Sequence, residues 1–197
     1  MKESLFGTDG IRSVAGAFPL DEPSLLRLGA VISRLGPDPA ILFARDTRAS
    51  GTEIEAQLGR GLGRRARVAS AGVLPTPGLA YLTRKLRFDF GIMISASHNP
   101  YHDNGIKIFN RHGEKISARL ENRISADFRA GGTTASFRPP EPAAVSSGDY
   151  ADFLCESGRD LGGQQMKIAV DCANGAASPI AAPLCRRLGL MAAVSHD

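Results

Sequence analysis

Gly91-Ile92-Met93-Ile94-Ser95-Ala96-Ser97-His98-Asn99-Pro100-Tyr101-His102-Asp103-Asn104-Gly105-Ile106-Lys107-Ile108-Phe109 is the stretch that decides how this 197-residue chain is read. Ile92 to Ile94 is a short apolar run, rich in β-branched side chains and free of charge, which predicts a buried strand. It breaks off into hydroxyl, imidazole and amide groups. Pro100 has no backbone N–H for a ladder and biases Asn99 away from helix, so the chain leaves the sheet there. Asn104-Gly105 reads as the positive-φ pair of a tight turn, after which Ile106, Ile108 and Phe109 resume a strand with Lys107 on the opposite face. A polar loop held at both ends by sheet is well placed for chemistry.

The chemistry is narrowed by exclusion. Ser97 and His98 are adjacent, and neighbours on an extended loop point apart, so His98 reads as a poor base for Ser97. No Gly-x-Ser-x-Gly elbow surrounds the serine. His98 and His102 have the spacing of a zinc-binding helix, but Pro100 between them breaks that helix. Lys107 just beyond the loop and His98 beside the serine form a small cationic pocket around a hydroxyl, which suits a phosphate better than an acyl group.

Outward from this loop the chain alternates strand and helix. Leu25, Leu28, Ile32 and Leu35 recur at helical spacing after Pro23, until Gly36-Pro37 stops them. Ala40 to Ala44 reads as a strand. Ser50-Gly51-Thr52-Glu53 reads as a capping box for a helix using Ile54, Leu58 and Leu62. A strand over Val68 to Val73, a helix from Thr76-Pro77 to about Leu86, a strand from Phe88 to Ile94 and a helix over Ser117 to Phe128 follow. The pattern predicts an α/β fold, an alternating strand-helix domain with a mostly parallel mixed sheet and the serine loop at a strand's carboxyl end. Residues 131–148 turn to Gly, Ser, Thr and Pro and read as a linker between a first domain at 1–130 and the incomplete start of a second, similar α/β domain at 149–197. There, Tyr150 to Leu161 reads as helix, Lys167 to Cys172 as strand, and Ser178 to Leu188 as helix.

Composition sets the remaining bounds. With 43% hydrophobic and 22% charged residues, the chain can bury one ordinary core and begin another. No apolar run nears the roughly 20 residues a membrane span needs, and the N-terminus lacks a signal peptide's apolar stretch. A cytoplasmic protein with no membrane partner is expected. Arg60, Arg64, Arg65 and Arg67 cluster without interleaved aromatics, which reads as a solvated helix end and predicts no nucleic-acid partner. Cys155, Cys172 and Cys185 show no Cys-x-x-Cys spacing and read as buried or partly buried thiols.

Ser97-His98-Asn99-Pro100 followed by Asp103-Asn104-Gly105-Ile106-Lys107 resembles the phosphoserine loop of the α-D-phosphohexomutases. Phe6-Gly7-Thr8-Asp9-Gly10-Ile11-Arg12, Asp46-Thr47-Arg48-Ala49-Ser50-Gly51 and Pro75-Thr76-Pro77 resemble that family too. Ser13 and Ala44 depart from it, standing where glycines are usual. The resemblance implies a phosphoserine at Ser97 that exchanges its phosphoryl group with a hexosamine phosphate substrate, supported by His98, Lys107 and Arg12 as catalytic residues. Asp9, Asp46 and Arg48 are expected to brace loops. The family's magnesium is held by an Asp-x-Asp-x-Asp triplet that this sequence lacks, so Ser97 would be a metal ligand through its phosphate only. The chain therefore reads as an N-terminal portion of such a mutase, with a homodimer left open as a partner state. Two rivals remain. A serine hydrolase would bring His112 or His196 to Ser97, and a non-catalytic binding or dimerising remnant would keep the fold without turnover.

Overall fold

Strands whose side chains are apolar on both faces need cover on both faces, and this sets the architecture. The computed structural model describes residues 5–131, 143–161 and 167–197. Its main sheet contains β1 (Ile11–Val14), β2 (Ala40–Arg45), β3 (Arg67–Val73), β4 (Phe90–Ile94), β5 (Asp103–Asn110) and β6 (Ala143–Ala144), in the order β1-β5-β4-β2-β3-β6. β4, β2, β3 and β6 run parallel, while β5 is antiparallel to both β4 and β1. The mostly parallel mixed sheet expected above is thus observed.

Alternation along β2 and β4 divides two cores. Ile41, Phe43, Ile92 and Ile94 pack with Leu25, Leu28 and Ile32 of α1 (Glu22–Ile32), Ile54, Leu58 and Leu62 of α2 (Gly51–Leu62), and Ile124 and Phe128 of α4 (Ala118–Ala130). Leu42, Ala44 and Met93 pack on the other face with Leu79 and Leu82 of α3 (Thr76–Lys85). Each such fully buried aliphatic or aromatic side chain contributes about 1.5–3 kcal/mol. Asp21 caps α1 by accepting from Ser24 N at 3.0 Å, and Ser117 caps α4 by accepting from Leu120 N.

Two local expectations are corrected. Asn104-Gly105 is not a turn: both residues lie inside β5, without positive φ. Gly105 serves close packing, since a Cβ there would stand 2.8 Å from the carbonyl oxygens of both Ile11 and Ser95. Asn104 is fully buried and turns its amide onto Ser50 Oγ at 2.9 Å. That bond also changes the capping box. Ser50 is at the N-cap of α2 in a helical conformation and makes no cap bond, because its hydroxyl serves Asn104.

Of the segment read as a linker, 132–142 lies outside the described residues, and Ala143–Ala144 pairs with β3. Beyond it, α5 (Gly148–Ser157) stacks Phe153 on Tyr81 of α3 with ring centroids 4.3 Å apart and buries Tyr150 in the second core. β7 (Lys167–Asp171), α6 (Ser178–Arg187) and β8 (Met191–Ser195) then form a separate two-stranded parallel sheet with its crossover helix. The sequence reading had not placed β8.

Candidate active site

The loops after β2, β3 and β4 emerge side by side at the carboxyl ends of three adjacent parallel strands, where open α/β sheets bind ligands. Together with the loop 172–177 after β7, they line a cleft of about 1150 Å³ containing Asp46, Thr47, Arg48, Ser97, His98 and Tyr101. Thr47 Oγ1 donates to Asn174 O at 2.6 Å and straps the two walls together.

Ser97 is exposed in this cleft, and its backbone has φ +59°, a left-handed conformation that a serine adopts only when its surroundings hold it there. The holding is visible. Ser97 N donates to Ser95 Oγ at 2.9 Å, and Ser95 Oγ donates to Asp46 Oδ2 at 2.6 Å. Asp46 in turn accepts from Arg48 N and Arg48 Nε, both at 3.0 Å. The positive φ also corrects the idea that Ser97 and His98 point apart. Ser97 Oγ and His98 Nδ1 are 3.4 Å apart, long for a hydrogen bond but close enough for a proton to pass once the groups tighten.

The other two expected catalytic side chains converge on Asp9, and Arg12 also reaches the serine loop on either side of Ser97. Arg12 NH1 donates to Ala96 O at 3.0 Å and Asn99 Oδ1 at 2.6 Å, and its NH2 donates to Asp9 Oδ2 at 2.6 Å. Lys107 Nζ pairs with the same Asp9 oxygen at 2.8 Å. Neither side chain lines the cleft around Ser97. Arg12 instead borders a second cavity of about 620 Å³ with Thr8, Asp9, Phe18 and Phe128. Gly10 makes the Asp9 contact feasible: at φ +91° a Cβ there would meet Ile106 O at 2.5 Å, so only glycine lets this loop lie on β5. The hydrogen bond from Lys107 holds the Asp9 carboxyl below its ordinary range, with Arg12 adding to the effect and desolvation opposing it.

Sequence reasoning missed the far wall. The loop holding Asn174 and Gly175 carries no charge or motif that marks it as a site wall, and Tyr101, 88% exposed beside the serine, is marked only by its place next to Pro100. Cys172 also lines the cleft. Desolvation, reinforced by Asp197 and Asp171, pushes its thiol up, so it does not offer a thiolate to rival Ser97. His112 lies past the far end of β5, and His196 is bonded to Asp171 at 3.0 Å; neither lines the cleft. Among the described residues no group of three or more His, Cys, Asp or Glu could hold a metal ion, and Asp46 is taken up by Arg48 and Ser95. These residues do not make a magnesium site by themselves.

Residues 3–135 match the family model described as phosphoglucomutase/phosphomannomutase, alpha/beta/alpha domain I. The chain is 46% identical over 189 residues to a phosphoglucosamine mutase of Deinococcus deserti, covering 89% of this chain and 42% of that protein. It is 40% identical to a phosphoglucosamine mutase of Koribacter versatilis, covering 98% and 44%. The chain thus spans less than half the length of these relatives. A phosphoglucomutase/phosphomannomutase family protein of Burkholderia thailandensis superposes with a TM-score of 0.76 at 26% identity, over 98% of this chain and 43% of that one. With the family model matching most of its length, the chain belongs to the phosphoglucomutase/phosphomannomutase family and carries its first α/β/α domain.

Proposed function

We propose that this chain supplies the phosphoserine loop of a cytoplasmic phosphoglucosamine mutase, which interconverts glucosamine 6-phosphate and glucosamine 1-phosphate. Residues 1–130 carry the phosphoserine loop and 149–197 lead into a second unit, with α5 packed on the first. The observation that carries this reading is the exposed Ser97 hydroxyl, held at φ +59° at the end of β4 within the cleft. The likeness to phosphoglucosamine mutases supports the choice of sugar.

In the first half-reaction the O1 hydroxyl of glucosamine 6-phosphate attacks the phosphorus on Ser97. The bond from Ser97 Oγ to phosphorus breaks as the new O1 bond forms, and the hydroxyl's proton passes to Ser97 Oγ, with His98 Nδ1 as carrier. The bound 1,6-bisphosphate then turns over. Ser97 Oγ attacks the phosphorus on O6, that bond breaks, O6 takes the proton, and glucosamine 1-phosphate leaves. A serine ester suits this traffic because it holds the group covalently and returns it, provided water is kept out. Magnesium, where the whole protein binds it, would offset charge on the phosphoryl group, and this chain's share of that site is the Ser97 phosphate.

Intact-mass measurement after incubation with glucosamine 1,6-bisphosphate tests the reading. One added phosphate that is lost in Ser97→Ala is expected. Labelling of Ser97 by a fluorophosphonate probe, with no phosphate uptake, would replace the mutase reading with the hydrolase.

A further inference from the structure

Arg48 borders the cleft and carries a charge that invites assignment as a phosphate ligand. Its hydrogen bonds leave no room for that. A guanidinium has five N–H donors in a fixed fork. Here Nε donates to Asp46 Oδ2, NH1 to the carbonyls of Pro100 and Asp103, and NH2 to the carbonyls of Ser97 at 2.9 Å and Asn99 at 2.8 Å. All five donors are taken by the protein. The side chain is 10% exposed, and its partner Asp46 is 12% exposed, so the pair is set into the wall.

We propose that Arg48 is a positioning residue for the Ser97 nucleophile and not a phosphate ligand. By gathering four carbonyl oxygens from both limbs of the serine loop, it holds Ser97 in its left-handed conformation. It also keeps those oxygens, which would repel an incoming phosphoryl group, engaged in hydrogen bonds to a cation. Asp46 fixes the fork from below and, through Ser95 Oγ, fixes the Ser97 amide as well. Lysine cannot substitute, because a single ammonium with three donors cannot reach four spread carbonyls.

This inference deepens the phosphoserine reading, and its test separates the two. In ¹⁵N-labelled parent chain titrated with inorganic phosphate, the Ser97 and His98 amides should move while the Arg48 Nε–H resonance stays in place. In Arg48→Lys and Arg48→Gln, amides of residues 97–103 should lose their dispersion while those of β2 and β4 keep theirs. The rate of Ser97 phosphorylation at saturating glucosamine 1,6-bisphosphate should fall on the order of 100-fold, the cost of misplacing a reacting group by about 1 Å, with the half-saturating concentration changed less than about twofold. Lysine should give no rescue. A shift of the Arg48 Nε–H with the same midpoint as the Ser97 amide overturns the proposal. So does Arg48→Lys that keeps the loop spectrum, or that weakens donor binding at an unchanged limiting rate. If the parent chain takes up no phosphate, the proposed function fails, and the loop spectrum of Arg48→Lys still decides this inference. Should the variants not fold, the Nε–H titration of the parent chain decides it.

Discussion

The main sheet and the β7–β8 sheet are built from the same strand–helix–strand unit, yet they are buried very differently. In β2 five of six residues are buried, whereas β7 and β8 alternate between exposed and half-buried along their whole lengths. The reason is cover. Helices close both faces of the main sheet, while the crossover helix α6 serves one face of the small one and contributes no buried residue. A parallel strand–helix–strand unit is therefore not a core by itself; burial on a second face makes it one.

Truncating equivalent strand centres should expose that difference most strongly. Phe43, 1% exposed, should cost about 3–5 kcal/mol when changed to alanine, against about 1 kcal/mol for Val170→Ala on the half-covered sheet. Urea midpoints measure both. Equal costs would mean that the small sheet is covered as well as the large one.

Close helix packing sharpens the same contrast within the main unit. A Cβ at Gly29 of α1 would meet Leu58 O at 2.3 Å and Gly61 Cα at 2.9 Å, while one at Gly59 of α2 meets nothing within 4 Å. Gly29→Ala should therefore destabilise by about 1–3 kcal/mol, as the backbones are forced apart. Gly59→Ala should stabilise by up to about 1 kcal/mol through helix propensity alone. Thermal melts of the two variants moving in the same direction would contradict this packing.

The helices and central strands were legible in the sequence because apolar spacing is local, whereas the edge strands β1 and β6 and the strand β8 were not. α1, α2 and α4 follow from Leu25, Leu28 and Ile32, from Ile54, Leu58 and Leu62, and from Leu120, Ile124 and Phe128. What the sequence hid depends on neighbours far along the chain. Gly105 looks like a turn glycine until Ile11 and Ser95 are packed against it. Ser50 looks like a cap until Asn104 claims its hydroxyl. The Ser97 loop was legible as a motif, but the conformation that brings His98 alongside is imposed from Asp46 and Arg48, about fifty residues away. The far wall of the cleft, 172–177, comes from the second unit altogether.

That wall is held to the first unit by the Thr47–Asn174 bond, so Thr47→Val should loosen the less covered region selectively. Loss of one such bond is worth about 0.5–1.5 kcal/mol. Hydrogen exchange across 172–178 should accelerate by a matching factor, about two- to tenfold, while amides of β2 and β4 keep their protection. Uniform acceleration would show that the bond stabilises the whole chain and not the contact between its regions.

Acid should act on the opposite region, and more weakly. The Asp9 carboxyl is held below its ordinary value of 3.8 chiefly by the hydrogen bond from Lys107, then by the charges of Lys107 and Arg12. A carboxylate depressed on folding adds stability above its unfolded value, and that contribution disappears as pH falls through the folded one. The loss therefore falls below pH 3.8, and it is small because Asp9 is half exposed and solvent screens the pairs. Between pH 5 and pH 3 the urea midpoint of the parent chain should drop further than that of Asp9→Asn, which has no charge to lose. An NMR titration should place the Asp9 carboxyl below its ordinary value. Protonation releases Lys107 and one bond of Arg12 but leaves the grip of Arg48 on the serine loop untouched. The Ser97 amide should accordingly keep its position through this titration. If it moved with Asp9, the approach loop and the serine loop would form one coupled unit, and Arg12, which bonds to both Asp9 and Asn99, would be the link.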